Sequence, residues 1–188
     1  MKVRAARDGD LGQVAAIYAH YVQHTVATFE TQAPPVSYWQ ARLGDLAERR
    51  LPFLVAEADG VVYGYAYAVP WRSRPAYRFS VEDSVYVAPG HEGRGIGSAL
   101  LGGLLDGCAA AGVRQVIAVI ADSGDEASVA LHARSGFVLA GRLVEVGHKH
   151  GRWLDTVLMQ RTLQHPLGTV SRVTAGKVPE RHSRNLYG

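Results

Sequence analysis

The sequence predicts one domain of the mixed α/β (α+β) class, in which helices flank a central sheet. The chain has 188 residues, 47% of them apolar and 20% charged, which is typical of a globular protein with its own core. Stretches with the apolar pattern of strands alternate along the chain with stretches of helical period. This order favours a sheet with helices packed on it over an all-helical or all-strand architecture.

The N-terminal part of the chain predicts a short strand followed by two helices. Residues 2–5 are typical of an edge strand. Asp10 is the expected N-cap of a helix that runs to about residue 24, with apolar residues on one side. The double proline at 34–35 enforces a loop, and Ser37 is the expected cap of a helix ending near residue 49.

The rest of the chain predicts a hairpin, a strand, a long helix, a strand, a short helix and two closing strands. These elements lie at 53–71 with the turn at Asp59-Gly60, and at 81–88, 94–111, 114–121, 125–137, 137–151 and 153–163. The segment 114–121 is apolar throughout, which predicts a strand buried on both faces.

Cysteine content and hydropathy exclude several classes of protein. Cys108 is the single cysteine, so an internal disulfide and a four-cysteine zinc site are excluded, and a reducing cytoplasm is the expected location. The helical pattern predicts that Cys108 is a buried thiol. No apolar stretch long enough for a membrane span is present, and the first residues lack the apolar core of a signal peptide.

The charge is unevenly distributed between a neutral body and a basic tail. The formal net charge is +3, and the excess lies within residues 164–188. We therefore expect a domain at 1–163 and a basic C-terminal tail at 164–188 that is a solvated end. A basic tail can contact nucleic acid, but nucleic acid is an unlikely partner for the neutral body.

A glycine-rich loop, GHEGRGIGS, joins the strand at 81–88 to the helix at 94–111. Unpaired backbone N–H groups at a helix start attract anions, and glycines let the backbone approach a phosphate closely. The spacing matches neither the P-loop, which needs a lysine, nor the dinucleotide fingerprint, because Ser98 stands in place of its last glycine. On the glycines alone, a simple turn and an anion site are equally good interpretations.

The segment VYVAPGHEGRGIGSALL resembles the coenzyme A signature of the GNAT acetyltransferase superfamily, with Glu92 where glutamine or arginine is usual. Three further segments, taken in order, resemble one subgroup of this superfamily, the phosphinothricin and methionine sulfone/sulfoximine N-acetyltransferases. The segments are WRSRPAYRFSVEDSVYV, SVALHARSGF and VGHKHGRWLD. The resemblance covers residues 1–163 and implies the GNAT acyl-CoA N-acyltransferase fold, with a mixed, mostly antiparallel sheet.

The resemblance also implies acetyl-CoA as co-substrate, held in a V between the strands at 81–88 and 114–121, with no metal ion. Pantetheine would pair with a strand edge, and the pyrophosphate would rest on the glycine loop. Asp125 stands where the family carries an asparagine that contacts the pantetheine arm. The implied coenzyme-binding residues are Val85, Tyr86, Val87, Gly93, Arg94, Gly95, Ile96, Gly97, Ser98 and Asp125.

Two residues are implied to be catalytic. Glu82 matches the general base that deprotonates the incoming ammonium, although its pattern alone also fits a surface or salt-bridged glutamate. His132 matches a histidine that could donate a proton to the leaving thiolate or to the oxyanion, and a hydrogen-bonded structural histidine is an equal alternative. Asp83 is expected on the opposite strand face, without a catalytic role.

The loop before the central strand is implied to bind the amine substrate. Arg72, Arg74 and Tyr77 match substrate-binding positions of the subgroup, and Phe29 is expected to shape the acceptor pocket. Arginine forks suit an acceptor that carries a carboxylate and a phosphinate or sulfone group. The predicted reaction is direct acetylation of the α-amine of a small glutamate-like amino acid in a ternary complex.

Alternatives are an acetyltransferase for another small amine and a non-catalytic acyl-CoA-binding regulatory module. The presence of Glu82 argues against the module. The subgroup resemblance also implies a homodimer, in which the tail could wrap the partner.

Overall fold

The computed structural model describes residues 1–124 and 126–163, which form a seven-stranded sheet with helices on both faces. Asp125 and the predicted tail at 164–188 lie outside the described residues. The strands are β1 (Lys2–Ala5), β2 (Phe53–Ala58), β3 (Val61–Pro70), β4 (Ser80–Val87), β5 (Gln115–Ala121), β6 (Val138–Lys149) and β7 (Arg152–Thr162). The helices are α1 (Leu11–His24), α2 (Val36–Glu48), α3 (Ile96–Ala110) and α4 (Ala127–Arg134).

The sheet is mixed and mostly antiparallel, as the family resemblance implies. Its strand order is β1-β2-β3-β4-β5-β7-β6, and β4 and β5 are the one parallel pair among the described strands. A parallel pair needs a crossover, and the glycine loop with α3 supplies it. The last hairpin pairs with β5 through β7, which leaves β6 at the edge.

Each face of the sheet has its own core. On one face, α1 and α2 cover an aromatic cluster centred on Trp39, whose ring makes edge contacts with Tyr18 and Tyr65. On the other face, α3 buries a leucine stripe together with Cys108, which confirms the predicted buried thiol. Burial raises the pKa of that thiol to about 12, so Cys108 is unsuited to act as a nucleophile.

Of the two predicted helix caps, one is confirmed in position and one is wrong. Asp10 is the N-cap residue of α1, but its side chain makes no capping hydrogen bond and instead accepts from the Arg4 guanidinium and the Arg7 backbone N–H. A charged partner outcompetes the helix end for a carboxylate that can reach both. Ser37 lies inside α2, because Pro35 takes the N-cap position and the helix starts at Val36.

The prediction that β5 is buried on both faces is also wrong. Val119 is 39% exposed, while its neighbours on the opposite side of the strand are buried. The cause is a gap in the sheet, since β4 pairs with β5 only as far as Asp83 and Ala118. Beyond that pair the two strands diverge, and one side of β5 faces an open cleft.

No helix in 1–124 or 126–163 is long and apolar enough to cross a membrane.

Candidate active site

The backbone of β4 beyond Asp83 has hydrogen-bonding groups that face the gap. Ser80 O accepts from Trp71 N on the β3 side at 3.0 Å, whereas Phe79 O accepts from Arg114 N on the β5 side at 2.8 Å. Because backbone groups alternate sides along a strand, the odd-numbered residues of β4 point towards β5. Val85 and Val87 therefore direct their N–H and C=O groups into the gap.

The gap opens into a cleft of about 960 Å³ that crosses the sheet. Residues 82–87 of β4 form one wall, and α4 and the end of β5 form the other. Of the predicted coenzyme-binding residues, those that line it are Val85, Tyr86, Val87, Gly93, Gly95, Ile96, Gly97 and Ser98. Arg94 is exposed beside the cleft without lining it, with Nη1 3.5 Å from His91 Nδ1.

The glycine loop enters α3 in a conformation that disfavours other residues. Gly93 and Gly95 have φ values of 73° and 78°, in the left-handed region, and Gly95 is the N-cap of α3. A Cβ on Gly95 would project into open space. The first N–H groups of α3 thus face the cleft with no side chain over them, which suits an anionic group.

Glu82 lies where the two strands separate, on the face that carries α1 and α2. Its carboxylate is half-buried, and no side chain in the described part of the chain hydrogen-bonds to it. Burial and the negative charge of Asp83 raise the pKa of Glu82 above its ordinary 4.5, against the opposing charges of Arg72 and Arg42. A carboxylate with a raised pKa and a free lone pair can accept a proton from an amine.

Asp83 and His132 form a buried ion pair on the opposite face. His132 Nε2 is 2.9 Å from Asp83 Oδ2. The side chain of His132 is 5% exposed, and that of Asp83 is 1% exposed. His132 Nδ1 donates to Ser128 O at 2.7 Å. Burial opposes a charged imidazole, but the hydrogen bond and charge of Asp83 outweigh it and raise the pKa of His132. Both ring nitrogens are therefore engaged, an arrangement that favours the structural alternative for His132.

One end of the cleft is lined by the loop after α1, and the end of β6 packs behind this loop. Phe29 lines the cleft and lies over Gly147, which leaves no room for a Cβ there. The buried Lys149 ammonium donates to Thr28 O at 2.7 Å and so fixes this loop. Burial lowers the pKa of Lys149.

The other predicted substrate-binding residues lie outside the lining of the cleft. Arg72, Arg74 and Tyr77 are exposed on the loop before β4, which contains a short 3-10 turn at Pro75–Tyr77. The Arg72 guanidinium lies 4.4 Å from the centre of the Trp71 ring. Within residues 1–124 and 126–163, no group of three or more histidine, cysteine or acidic side chains could hold a metal ion.

Sequence reasoning missed three residues around the cleft. Tyr21 donates its hydroxyl to Val87 O at 2.7 Å and so fixes the free end of β4. Asp83 engages His132, and Arg42 on α2 places a positive charge near Glu82. The sequence contains a signal for Asp83 only, because strand alternation assigns it to the face of β4 that α4 covers.

The segment of the chain that matches a known family contains the glycine loop and β4. Residues 14–137 match the sequence model of the acetyltransferase (GNAT) family. The chain belongs to that family. The resemblance predicted from the glycine loop and strand motifs is therefore confirmed, and the GNAT fold with it.

Similar proteins within the family are named as acetyltransferases of phosphinothricin or of methionine sulfoximine and methionine sulfone. A phosphinothricin N-acetyltransferase of Alcaligenes faecalis is 52% identical over 161 residues, which cover 86% of this chain and 82% of the relative. An L-methionine sulfoximine/L-methionine sulfone acetyltransferase of Salmonella typhimurium is 39% identical over 166 residues, which cover 87% and 95%.

The fold agrees with a crystal structure of a GNAT superfamily phosphinothricin acetyltransferase from Sinorhizobium meliloti in complex with AcCoA. The two structures superpose with a TM-score of 0.84 at 43% sequence identity, and the alignment covers 98% of each chain.

Proposed function

We propose that this GNAT enzyme transfers the acetyl group of acetyl-CoA to the α-amine of a small glutamate-like amino acid. Phosphinothricin, methionine sulfoximine and methionine sulfone are the proposed acceptors, because similar proteins are named for these substrates. The observation that carries the proposal is Glu82, a half-buried carboxylate with a raised pKa at the point where β4 and β5 separate. The open edge of β4 and the start of α3 suit pantetheine and pyrophosphate.

In the proposed reaction, Glu82 removes a proton from the acceptor ammonium, and the neutral amine attacks the thioester carbonyl. The N–H of Val87 faces the gap and supports the developing oxyanion. In the tetrahedral intermediate, one of the two protons on nitrogen passes through solvent to the sulfur as the C–S bond breaks, so coenzyme A leaves as a thiol. Glu82 then returns the proton that it took from the ammonium to solvent. Direct attack in a ternary complex needs no covalent enzyme intermediate, in agreement with the burial of Cys108.

His132 takes a positioning role in this scheme. Direct proton donation by its ring would break a hydrogen bond to Asp83 or Ser128. The ion pair instead connects α4 to β4 across the base of the cleft. Arg72, Arg74 and Tyr77 stay predictions for the acceptor site, supported by their place on the loop that leads into β4.

A homodimer is also part of the proposal. The edge strand β6 and its neighbour β7 expose an apolar surface to solvent. Its residues, with their exposed fractions, are Val138 67%, Leu139 70%, Val144 67%, Val146 53% and Trp153 64%. A surface of this kind on an edge strand suits contact with a second copy. A cytoplasmic location, where the free thiol of Cys108 would stay reduced, completes the proposal.

The test is release of coenzyme A from acetyl-CoA with a panel of amines. The panel holds phosphinothricin, methionine sulfoximine, methionine sulfone, the standard amino acids and spermidine. Turnover confined to the first three supports the proposed acceptor class. Turnover on another amine would retain the mechanism and reject the acceptor, and binding of acetyl-CoA without any turnover would favour a non-catalytic module.

A further inference from the structure

Arg42 occupies an unusual position on the inner side of α2. Its guanidinium lies 5.1 Å from the centre of the Tyr38 ring and 5.3 Å from the centre of the Tyr67 ring. It also donates a hydrogen bond to the Tyr38 hydroxyl. Two aromatic faces and a hydroxyl therefore fix the orientation of a half-buried cation.

Arg42 has no anionic partner in the part of the chain that the structure describes. By contrast, Arg4, Arg49 and Arg142 each form ion pairs with aspartate or glutamate. The guanidinium borders a depression of about 390 Å³ beside α2 and the end of β3. Asp45 also borders this depression, but its carboxylate accepts a hydrogen bond from Arg49 at 2.8 Å. Most N–H donors of Arg42 are thus free for a ligand.

The depression adjoins the base of the active site. Val69, which lines it, is the register partner of Glu82 across β3 and β4. Tyr67, on which Arg42 packs, lines the main cleft. The charge of Arg42 acts on the Glu82 carboxylate, as does that of Arg72 from the loop before β4. Positive charge from two different elements therefore acts on the base.

We propose that Arg42 binds the α-carboxylate of the acceptor amino acid while Glu82 receives the proton of its α-amine. The inference rests on the acceptor class proposed above and assigns one of its groups to a residue. In an α-amino acid one carbon carries both the amine and the carboxylate. When the amine lies at Glu82, the carboxylate is therefore close to a negatively charged base, and a cation is needed there to bind it. The planar fork of arginine matches a carboxylate in two hydrogen bonds. Arg72 and Arg74 then serve the distal oxyanion.

The test compares two acceptors that differ only in the α-carboxylate. L-phosphinothricin and its decarboxylated analogue, aminopropyl(methyl)phosphinate, are assayed with the full chain and with Arg42→Gln, Arg42→Lys, Arg72→Gln and Arg49→Gln. Arg49→Gln is the matched control, because Arg49 directly follows α2 but is exposed and paired with Asp45. Melting temperatures establish that each variant folds, and Arg42→Lys retains the charge if the glutamine variant does not fold.

We expect Arg42→Gln to raise KM and lower kcat/KM for L-phosphinothricin by about tenfold or more, since a charged hydrogen bond is lost. For the decarboxylated analogue the change stays within about twofold of Arg49→Gln, and Arg42→Lys is intermediate for phosphinothricin. An equal loss on both acceptors, or a selective loss in Arg72→Gln instead, overturns the assignment.

The wild-type chain separates this inference from the proposed function. Turnover of L-phosphinothricin by the wild type supports the acceptor class whatever the variants do. If the wild type acetylates only amines that lack an α-carboxylate, both proposals fall together. If the wild type turns over no amine, the increase in melting temperature that L-phosphinothricin causes measures binding instead. An increase that is retained in Arg42→Gln rejects the role of Arg42.

Discussion

Glu82 and Asp83 are neighbours on β4, yet their carboxylates lie in opposite environments. The Glu82 side chain faces α1 and α2 and is half-buried, and its carboxylate makes no hydrogen bond within residues 1–124 and 126–163. Asp83 faces α4 and is buried against His132, with Oδ2 2.9 Å from Nε2. Strand alternation sends consecutive side chains to different layers, so the same chemical group meets two different surroundings.

The contrast distinguishes a reactive carboxylate from a structural one. Removing water raises the pKa of Glu82 and leaves it without a partner, which suits proton transfer. Asp83 is engaged by a cation that would have to move before the carboxylate could react. A burial measure alone would rank Asp83 as the stronger functional candidate, whereas the hydrogen bonds point to Glu82.

The largest expected effect is on catalysis, in Glu82→Gln. Glutamine keeps the shape of the side chain but cannot accept the proton, so we expect kcat to fall about a hundredfold or more. Initial rates of coenzyme A release measure it, with Glu48→Gln on the exposed side of α2 as a control. A near-wild-type rate at neutral pH would move the general base elsewhere.

The next effect is on stability, in Asp83→Ala. Removing one partner of a buried ion pair leaves an unpaired group, and the expected loss is about 3 kcal/mol in the free energy of unfolding. Urea denaturation of Asp83→Ala, His132→Ala and the double variant measures the coupling between the side chains. Losses that add within about 0.5 kcal/mol would mean that the pair contributes nothing beyond its separate parts.

The ion pair also predicts a pH dependence of stability. The folded pKa of His132 is raised above its ordinary 6.5, so the folded state binds the proton more tightly than the unfolded state. The stabilisation is complete below pH 6.5 and is lost as pH rises through the folded pKa. Urea midpoints from about pH 6 to about pH 9 should therefore fall in the wild type and less in His132→Ala. Equal slopes in both proteins would contradict the assignment.

The smallest effect tests the strand itself rather than either carboxylate. Tyr21→Phe removes the hydroxyl that donates to Val87 O at 2.7 Å. We expect a loss of about 1 kcal/mol in unfolding free energy and a higher KM for acetyl-CoA, since the end of β4 is less fixed. If KM for the amine changes instead, the hydroxyl contributes to the acceptor site and not to the coenzyme edge.

Most of the fold could be predicted from the sequence, because its elements are strongly periodic and its turns use glycine and proline. The hairpin at Asp59-Gly60 and the order of strands and helices are confirmed. The errors come from tertiary context. The Asp10 carboxylate pairs with Arg4, which stands on β1, instead of capping α1, and β5 is exposed on one side because its neighbour diverges. An apolar run does not reveal whether a protein layer or a ligand covers it.

The candidate site was predictable where motifs are local. The glycine loop and Glu82 belong to one continuous segment, and both line the cleft. Arg42 was not predictable, because it stands on a helix that is remote in sequence from β4 and belongs to no motif. Two observations single out Arg42 as a candidate: it packs on the ring of Tyr67, and it has no acidic partner in the described part of the chain. Three-dimensional structure is needed to find such a residue.

The divergence of β4 from β5 affects the stability of the enzyme when no co-substrate is bound. An unpaired strand edge invites pairing with another chain, which is the usual route to aggregation. A co-substrate that occupies the gap closes this edge and binds only the folded chain. At a hundred times its Kd such a ligand adds about 2.7 kcal/mol to stability. The cellular supply of acetyl-CoA would then govern the persistence of the protein as well as its rate.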